Sequence, residues 1–571
     1  MQETISQALV SGCERLSAWA DVLDRINVYP VADGDTGRNL RLSLTPLLHT
    51  GTRGADRTVR ELLLAARGNS GNIATRFFSS FVRAAGMKDL PDRARDGREK
   101  AWRAVHNPQP GTMLSVFDAL EEALAEKPDN NGWSSRVLER LRESVELTAE
   151  TLPEMREAGC VDAGALGMYI FFEAFFKSLS GNGMVLKPVT ESFAGKLSIR
   201  EGYSPAHDGG YCVDLVLKVG EGSEVVAKEW GELGESVIAV AENGLVKLHL
   251  HTNDREALRG RISRMGDLVQ WSADDLAEQT KNFRERGRTQ ALHIVTDGAG
   301  SITREDAARL GVTIMDSYVN IGDLSVPESH VDPDRMYAAM RQGVSVSTSQ
   351  ASVYERHQNY EKITSLHERA LYLCVGSAFT GNHEVAKAWI AEKGLDDRLV
   401  LVDTALASGK LGLAVLAAAR YSLEAGTAED VIARAKRIVD SCRECICPER
   451  LQYLAAGGRL SKTASFFGDL FRVKPVVTPT SEGAQKMAQF RKKDDQAAFV
   501  LDLIERDRAG GGVSTVLLEY TDNREWLEET VRRQVGQACP DAEILVRPLS
   551  VTTGAHCGPG TFAVAWLPTI D

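Results

Sequence analysis

The sequence predicts a multidomain protein in which an all-α region is followed by a small β-rich region and then by a long α/β region. The chain has 571 residues, which is more than a single hydrophobic core normally supports. Apolar residues recur at helical spacing in the first third and alternate with a period of two in a short central stretch. In the second half they form short runs separated by helical segments. We therefore expect domains at residues 1–185, 190–285 and 289–571.

The overall composition indicates a soluble globular protein, with 43% hydrophobic and 26% charged residues. The net charge of −12 argues against non-specific binding of nucleic acid, which needs a basic surface. No apolar run reaches the ~20 residues that a membrane span needs. The start, "MQETISQALVSGCERL", lacks the basic and apolar regions of a signal peptide. We expect a cytoplasmic protein.

Nine cysteines, an odd number, favour a reducing compartment over a disulfide framework. Three of them cluster in "CRECICPER", at Cys442, Cys445 and Cys447. Metal binding is one interpretation of this cluster. The other is a helix with ordinary thiols that ends before Pro448, which is favoured because no second pair follows at zinc-ribbon spacing.

The first region is predicted to be a helical bundle. Ile5, Leu9, Cys13, Leu16 and Leu23 recur at helical spacing, and later windows such as "MLSVFDALEEALAEK" repeat the pattern. No segment in this region alternates with a period of two. The bundle carries four polar, glycine-bearing turns, and their occurrence together in one bundle suggests that they line one end of it.

The first of these turns is "INVYPVADGDTGRNL", in which Asp33 and Asp35 flank a glycine. In an extended or turn backbone, side chains two residues apart point to one side, where two carboxylates repel unless a cation lies between them. Mg²⁺ prefers such oxygen ligands and bridges to phosphates. The alternative is a helix N-cap at Asp35 or Thr36, and spacing alone does not decide between the two.

The other three turns offer backbone N–H groups and small polar side chains. They are "ARGNSG" around Gly68–Gly71, "PGTML" with Gly111 and Thr112, and "DAGALG" with Asp162 and Gly164. Exposed N–H groups before a helix favour an anion, although Gly, Asn and Ser are also typical of ordinary helix–helix turns. Neither a Walker A pattern nor a dinucleotide fingerprint is present.

In this order, "VYPVADGDTGRN", "ARGNSG", "PGTML" and "DAGALG" resemble the ATP-binding (L) subunit of dihydroxyacetone kinases and, more closely, the related domain of bacterial fatty acid kinases. The resemblance covers residues 1–185 and implies an eight-helix barrel that binds ATP and Mg²⁺ at its rim. It implies that Asp33 and Asp35 hold Mg²⁺. The implied nucleotide-binding residues are Asn27, Thr36, Gly37, Asn39, Gly68, Asn69, Ser70, Gly71, Gly111, Thr112, Asp162 and Gly164.

The middle region reads as strands with some helix. "YCVDLVLKV" alternates with a period of two, and "SVIAVAENGLVKLHLHT" predicts a hairpin around Asn243-Gly244. His249 and His251 share a strand face, and Cys212 lies on a preceding strand. Spacing alone favours two surface histidines and a buried thiol. The region resembles the middle domain of fatty acid kinases, however, and that resemblance implies Zn²⁺ at Cys212, His249 and His251.

The last region is predicted to contain a largely parallel sheet with ligands near the strand C-termini. Its loops "VSTSQAS", "GSAFTGN", "YLAAGGRLSK" and "AHCGPGTF" offer hydroxyls, an Arg and a His for an anion, although ordinary turns and a helix C-terminal charge at Arg459 are an alternative. These stretches resemble the DegV family of fatty-acid-binding proteins, which have two α/β lobes around a buried acyl chain. The implied carboxylate-binding residues are Thr348, Ser349, Ser377 or Thr380, Arg459 and His556.

Together the resemblances imply a single-chain fatty acid kinase that uses ATP to convert a bound fatty acid into an acyl phosphate. Asp33, Asp35, Arg459 and His556 are then the catalytic residues. The implied partners are a fatty acid ligand, a downstream acyltransferase and a second copy of the chain, with transient membrane-surface contact and no nucleic acid. A dihydroxyacetone-like sugar kinase and a non-catalytic lipid-binding regulator are the alternatives.

Overall fold

The computed structural model describes residues 2–126, 132–181, 187–203, 209–219, 230–242, 244–276, 290–424, 427–456 and 473–570. The chain divides into two compact units, Met1–Glu285 and Arg286–Asp571. The first unit contains the predicted helical and middle regions together, and the second contains the predicted α/β region.

The N-terminal part of the first unit is helical, as predicted. Its helices are α1 Gln2–Arg25, α2 Thr36–Leu44, α3 Thr50–Arg53, α4 Ala55–Ala65, α5 Gly68–Phe81, α6 Leu90–Ala104, α7 Met113–Ala125, α8 Trp133–Thr151, α9 Pro153–Ala158, α10 Ala163–Ser180 and α11 Val189–Ser192, with 3₁₀ turns at Thr45–His49 and Met87–Asp89. The eight-helix barrel remains a prediction.

The centre of this part is α10, in which every residue from Ala163 to Phe176 is buried. A helix that is apolar on all sides belongs inside a bundle. Around it, aromatic rings from three helices pack together, and the rings of Phe77 and Phe117 are stacked 4.1 Å apart. The single acidic side chain of α10, Glu173, is neutralised by Arg15 of α1 at 2.5 Å. The packing of α1 and α10 thus fixes the loops at both of their ends.

The middle part is a four-stranded antiparallel sheet in the order β2-β3-β1-β4. Its strands are β1 Tyr211–Lys218, β2 Glu235–Glu242, β3 Leu245–Thr252 and β4 Asp267–Asp275. The predicted hairpin is confirmed by β2 and β3, with Gly244 in the left-handed region at φ +76°, while Asn243 lies outside the described residues. Val213, Leu215 and Leu217 of β1 form a core with the helix Arg255–Ile262 on one face. The other face of β1 carries Cys212 and Asp214.

The second unit contains three sheets, built from thirteen strands in the part that the structure describes. The sheets have the orders β11-β10-β5-β6, β14-β13-β12-β17-β15-β16 and β8-β7-β9. The strands are β5 His293–Asp297, β6 Thr313–Met315, β7 Tyr318–Ile321, β8 Leu324–Pro327, β9 Val346–Ser349, β10 Ala370–Cys374, β11 Leu399–Asp403, β12 Arg443–Cys447, β13 Lys474–Thr480, β14 Gly483–Phe490, β15 Val513–Tyr520, β16 Glu543–Pro548 and β17 Phe562–Pro568.

Helices alternate with these strands and make the unit α/β. They are Arg304–Leu310, Pro333–Arg341, Val353–Leu366, Asn382–Lys393, Ser408–Glu424, Ala428–Ser441, Leu451–Ala456, Lys493–Gly511, Arg524–Trp526, Arg533–Ala538 and Val551–Cys557, with a 3₁₀ turn at Glu328–His330 and a π-helical turn at Leu527–Arg532. None of the helices in the described ranges is both long and apolar enough to cross a bilayer.

The prediction of a largely parallel sheet is right for the four-stranded sheet and wrong for the six-stranded one. All three pairings of the former are parallel. In the latter only β15 and β16 pair in parallel, because β17 returns antiparallel between β12 and β15 and β13 and β14 form a hairpin. A short apolar run in the sequence predicts a strand, but it does not show whether the neighbouring strand in the sheet runs parallel or antiparallel to it.

The helix predicted before Pro448 is also wrong, because Arg443–Cys447 is the strand β12. Cys442, Cys445 and Cys447 are all buried. Cys445 and Cys447 face a core shared with the helix Lys493–Gly511, where thiols pack as small apolar groups. Among the described residues, the three cysteines are not part of any potential metal-binding cluster.

Candidate functional site

The turn that carries Asp33 and Asp35 is held in place by Asn27, at the end of α1. The Asn27 amide donates to Val31 O at 2.7 Å and to Asp33 Oδ1 at 3.0 Å. Its carbonyl oxygen accepts from Thr36 N at 3.1 Å and from the Thr36 hydroxyl. Asn27 is buried and therefore orients the turn. Asp35 occupies the N-cap position of α2, but its side chain makes no capping hydrogen bond, so capping does not explain the pair.

The surroundings of the turn disfavour the ionised form of both carboxyl groups, and of Asp33 most strongly. Burial raises the pKa of Asp33 well above its ordinary value, and the neighbouring Asp35 raises it further. Burial also raises the pKa of Asp35, although the Arg38 guanidinium and the Asn39 amide oppose this shift. Burial disfavours both ionised forms, like charge disfavours that of Asp33, and a bound cation would favour both. The pair therefore has the electrostatic character of a cation site.

The residues Gly68–Gly71, predicted from the sequence to form a phosphate loop, make up the first turn of α5 and lie against α2. Gly68 has φ +58°, and a Cβ there would lie 2.0 Å from Asn39 Nδ2. Ser70 Oγ lies 3.2 Å from the Thr36 hydroxyl. Gly37 and Gly71 serve close helix packing, since a Cβ would lie 1.9 Å from Ala20 O and 2.1 Å from Ser43 Oγ, respectively.

A cavity of about 470 Å³ opens beside this turn, within the size range of small-molecule sites. Five of the residues predicted to bind nucleotide line it: Asn69, Ser70, Thr112, Asp162 and Gly164. Gly111 supports the loop instead, because its N–H donates to Ser115 Oγ at 2.8 Å. Tyr29 and Pro30 of the aspartate turn also line the cavity, so residues of all four polar turns meet there, as expected.

A narrower pocket continues from this cavity and shares with it Tyr29, Pro30, Asn69 and Ser70. It is lined by Asp33, Asp35 and Thr36 from the helical part and by Cys212, His249 and His251 from the middle sheet. The two predicted metal sites therefore face the same space. The sequence gives no indication of this proximity, because about 180 residues separate Asp33 from Cys212.

The register between β1 and β3 brings Cys212, His249 and His251 together. Cys212 pairs with His251 and Asp214 with His249 across β1 and β3, so all four side chains share one face. The ligand atoms of Cys212, His249 and His251 lie within 4.8 Å of one another. His249 is only 1% exposed, yet neither of its ring nitrogens has a hydrogen-bond partner. Burial raises the pKa of the Cys212 thiol well above its ordinary value. A buried imidazole without a hydrogen bond, beside a thiol, fits Zn²⁺, which would displace the thiol proton.

Asp214 was missed by the sequence analysis and links the two halves of this site. Its Oδ2 accepts from Gly68 N at 3.1 Å, in the predicted phosphate loop. Its Oδ1 lies 3.4 Å from His249 Nδ1 and 3.4 Å from the buried Lys247 Nζ. Burial alone would raise the pKa of Asp214, but the Lys247 ammonium holds it well below its usual range. The signal available in the sequence was the spacing of two from Cys212 in an alternating strand.

In the second unit, a cavity combines a polar end with apolar walls. Thr348, Ser349, Thr380 and His556, all predicted from the sequence, line it. Thr348 Oγ1 lies 3.1 Å from His556 Nε2. Apolar side chains line the rest, among them Phe379, Ile446, Leu454, Val477 and Ala484. Such a cavity suits a molecule with an anionic head and an apolar chain.

The remaining two predicted residues differ in what the structure describes of them. Ser377 is exposed and does not line it, and its backbone N–H donates to Asp403 Oδ1 at 3.0 Å. Arg459 lies outside the described residues, so its role as a carboxylate partner stays a prediction. Of the alternatives Ser377 and Thr380, the structure places Thr380 at the cavity.

Glu328 lies behind the polar end of this cavity and was not singled out from the sequence. Its Oε1 accepts from Ser317 N at 2.8 Å, and its Oε2 accepts from the Thr552 hydroxyl. Ser317 and Thr552 both line the cavity. Burial, reinforced by Asp316, raises the pKa of Glu328 to about 7. Glu328 therefore fixes two lining residues while carrying less than a full negative charge near neutral pH.

Three family models match the chain. They are the DAK2 domain at residues 30–177, the fatty acid kinase A-like middle domain at 208–283, and the DegV family of uncharacterised proteins at 291–569. One chain thus joins a DAK2-like, a fatty acid kinase A-like and a DegV-like segment. The DAK2-like segment contains Asp33, Asp35 and Asp162, the middle segment contains Cys212, and the DegV-like segment contains Thr348 and His556.

Curated relatives match about half of the chain. An uncharacterized protein of Staphylococcus aureus (strain bovine RF122 / ET3-1) is 28% identical over 305 residues, which is 48% of this chain and 55% of that protein. An uncharacterized protein of Staphylococcus saprophyticus is 26% identical over 346 residues, or 56% of this chain and 63% of that protein. The chain thus spans little more than half the length of these relatives.

Solved structures of DegV proteins are similar to about half of the chain. A DegV family protein from Thermus thermophilus, described as binding fatty acid, has 24% identity and a TM-score of 0.45, covering 49% of this chain and 100% of that one. The Streptococcus pneumoniae fatty acid kinase B3 protein, loaded with linoleic acid, has 15% identity and a TM-score of 0.43, covering 49% of this chain and 100% of that one.

Asp162 of the DAK2-like segment provides a pH-dependent test of the site. It caps α10 by accepting from Ala165 N at 2.7 Å, and burial raises its pKa to about 6. A raised carboxyl pKa gives stability that is complete below the unfolded value of ~3.9 and is lost as pH rises towards the folded pKa. Asparagine cannot ionise. The stability of Asp162→Asn relative to wild type should therefore increase by about 1–2 kcal/mol between pH 5 and pH 8.

Urea unfolding of the nucleotide-free protein at both pH values measures this difference. Asp254→Asn is the control, since Asp254 also caps a helix through Ala257 N at 2.9 Å but is exposed. A difference between Asp162→Asn and wild type that does not change with pH would contradict the raised pKa.

Proposed function

We propose that the protein is an ATP-dependent kinase that phosphorylates the carboxylate of a bound fatty acid, giving an acyl phosphate and ADP. One observation carries the proposal, namely that a single chain has two cavities of different chemistry. The first is large enough for a nucleotide and adjoins the pocket of Asp33 and Asp35, and the second has a polar end and apolar walls. The three family matches support the same combination. A fatty acid has the anionic head and the apolar chain that the second cavity suits.

In the kinase unit, the proposal places the nucleotide in the larger cavity, with its phosphates at the end that adjoins the narrow pocket. Mg²⁺ held by Asp33 and Asp35 would neutralise the phosphate oxygens. Asn27 fixes the direction of Asp33 through its amide. The hydroxyls of Thr36 and Ser70 and the Asn69 amide line the same pocket and offer neutral donors to the phosphates.

The Cys212, His249 and His251 set faces this pocket as well. A Zn²⁺ ion bound there would add positive charge beside the phosphates. The chain itself fixes the positions of these ligands. The register between β1 and β3 places the three side chains on one face, and Asp214 lies beside His249 while it accepts the N–H of Gly68.

In the acceptor unit, the fatty acid needs no general base, because its carboxylate is already ionised at neutral pH. Thr348 and His556 would hold the head group, with Arg459 as a further predicted partner. The carboxylate oxygen attacks the γ-phosphorus and ADP leaves, so that the protein contributes positioning and charge neutralisation. An acyl phosphate is an activated acyl donor, and a downstream acyltransferase is the proposed consumer.

The test is an assay of purified protein with ATP, Mg²⁺ and oleate in the presence of hydroxylamine, which traps an acyl phosphate as the hydroxamate. The proposal predicts hydroxamate in amounts equal to ADP. Binding of oleate without ADP formation would indicate a non-catalytic lipid-binding regulator. Turnover of dihydroxyacetone instead of oleate would indicate a sugar kinase.

We further propose that the protein is a cytoplasmic homodimer in which the lipid-binding unit of one chain serves the kinase unit of the other. Asp33→Asn removes a metal ligand and His556→Ala removes a head-group contact, so each variant alone should be impaired. Mixing the two should restore up to about a quarter of the activity of a wild-type dimer after random subunit exchange, because half of the dimers then contain one intact pair.

Subunit exchange is verified by native mass spectrometry of the same mixture. Complete exchange without recovered activity would mean that each chain phosphorylates its own fatty acid. A protein that is monomeric at assay concentration would also contradict the dimer.

A further inference from the structure

The larger cavity of the first unit is not built by the helical part alone. Five of its lining residues belong to the middle segment: Gly231, Gly234, Glu235, Ser236 and Ile238. The DAK2 match ends at residue 177, so this wall belongs to a different family segment, matched at 208–283. The cavity therefore has one side that the DAK2-like segment does not provide.

The wall is joined to the helical part by backbone pairing. Val105 forms a β-bridge with Ile238, and His106 N donates to Val237 O at 3.1 Å. The imidazole of His106 lies over Gly231 so closely that a Cβ at Gly231 would be 2.6 Å from the ring. These contacts fix the position of the wall relative to the loop 105–109.

Two residues of this junction have strained backbones. Asn107 has φ +58° and Ser236 has φ +50°, and neither is glycine. Both line the cavity. Non-glycine residues persist in this conformation where surrounding structure imposes it, and such positions cluster at ligand sites. The strain on both sides of the junction suggests that its shape matters for what binds there.

The chemistry of the wall suits a nucleoside. Ile238 belongs to an apolar cluster with Ile73 and Val105, and all three line the cavity, which gives it aliphatic side chains against which a base can pack. Ser236 and Glu235 add polar groups at the rim that can reach ribose hydroxyls. The carboxylates and hydroxyls for the triphosphate lie in the adjoining narrow pocket.

We propose that the segment Gly231–Ile238 of the middle sheet binds the base and ribose of the nucleotide, so that the middle segment forms part of the nucleotide site. The inference rests on the proposed kinase function. Under this inference the middle sheet supplies one wall of the nucleoside cavity, beside Ile73 and Val105 of the helical part.

The experiment compares two ligands and two variants. Equilibrium binding of Mg²⁺-ATP and of Mg²⁺-tripolyphosphate is measured with the full chain by calorimetry, because tripolyphosphate has the phosphates without the nucleoside. Ile238→Ala shortens the wall. Val240→Ala is the matched control, since Val240 lies on the same strand in the same apolar cluster and is equally buried, but does not line the cavity.

We expect Ile238→Ala to weaken ATP binding at least tenfold and tripolyphosphate binding less than twofold, while Val240→Ala changes neither by more than twofold. Equal loss for both ligands, or unchanged ATP binding by Ile238→Ala, would overturn the inference. Wild-type protein that binds neither ligand would overturn the proposed kinase function itself, which distinguishes the two failures.

A second variant tests the wall without shortening it. Gly231→Ala places a methyl group against the His106 ring and should displace that ring, lowering ATP affinity with tripolyphosphate affinity unchanged. Adding His106→Ala removes the clash, and the double variant should recover ATP affinity relative to Gly231→Ala. A Gly231→Ala protein that binds ATP like wild type, with the same unfolding temperature, would count against the wall.

Discussion

Replacing Asp33 or Asp35 with asparagine should reduce fatty acid phosphorylation at least a thousandfold while leaving fatty acid binding unchanged. An amide is a poor ligand for Mg²⁺, and loss of the metal removes several kcal/mol of transition-state stabilisation; a thousandfold loss corresponds to about 4 kcal/mol. The fatty acid cavity lies in the other unit and shares no residue with the aspartate turn. Hydroxamate formation and oleate binding, measured on the same preparations, check both parts.

Asp24→Asn is the control for general electrostatic effects. Asp24 also raises the pKa of Asp33 through its charge, but it accepts a hydrogen bond from Arg38 N at 3.1 Å and does not line the narrow pocket. Its replacement should cost less than tenfold. Near-wild-type activity of Asp33→Asn or Asp35→Asn with Mg²⁺ would show that the carboxylates do not hold the metal. The asparagine variants should also unfold at a higher temperature without Mg²⁺, because they lack the like-charge repulsion.

The second large effect is the loss of phosphorylation activity that we expect when the ligands Cys212, His249 and His251 can no longer bind a metal. Purified wild-type protein should contain about one Zn²⁺ per chain, as expected for one three-residue site. The double variant His249→Ala and His251→Ala should contain none and should lose phosphorylation activity. Elemental analysis measures the metal independently of activity. Metal-free wild-type protein with full activity would contradict the assignment.

Asp214 allows a graded version of the same test. A carboxylate beside a metal-binding imidazole orients the ring, and its loss typically lowers metal affinity 10–100-fold. Asp214→Asn should therefore retain Zn²⁺ but release it to a chelator at least tenfold more readily. Because this substitution leaves the Lys247 ammonium without its counter-charge, the variant Lys247→Met with Asp214→Asn separates charge balance from orientation. Wild-type zinc affinity in that double variant would mean that Asp214 only neutralises Lys247.

Much of the local structure follows directly from the sequence. Helical spacing of apolar residues predicts the helical N-terminal part, and period-2 alternation predicts β1, β2 and β3. The four polar turns were predicted to line one end of the helical bundle because all four are polar, bear glycine and lie in the same bundle, and residues of all four line the cavity. In each case the signal lies within a window of some fifteen residues, where periodicity and turn chemistry are strong.

Features set by long-range pairing could not be predicted in this way. The pairing of Cys212 with His251 and of Asp214 with His249 depends on the register of two strands that are over 30 residues apart, and a one-residue slip would reverse the faces. The strand β12 was mistaken for a helix because a segment of five residues is too short for its periodicity to separate the two structures. Its strand conformation is imposed by pairing with β17, more than a hundred residues later.

The two predicted metal sites face one pocket because of how the middle sheet packs against the helical part. No spacing rule relates Asp33 to His249. The same holds for the wall at Ile238, which pairs with Val105 from another segment. Sequence patterns identified the separate groups of functional residues, and tertiary packing determined which of them share a space.

The central claim, that the fatty acid carboxylate attacks the γ-phosphorus of ATP, is tested most directly with oleate labelled with ¹⁸O at both carboxyl oxygens. Attack by the carboxylate leaves one labelled oxygen bridging carbon and phosphorus. Hydroxylamine then attacks the acyl carbon, and phosphate departs with that oxygen. The account predicts one ¹⁸O atom in each phosphate released together with hydroxamate, as read by mass spectrometry. Unlabelled phosphate would mean that water, not the fatty acid, accepts the phosphoryl group, and would contradict the proposed kinase reaction.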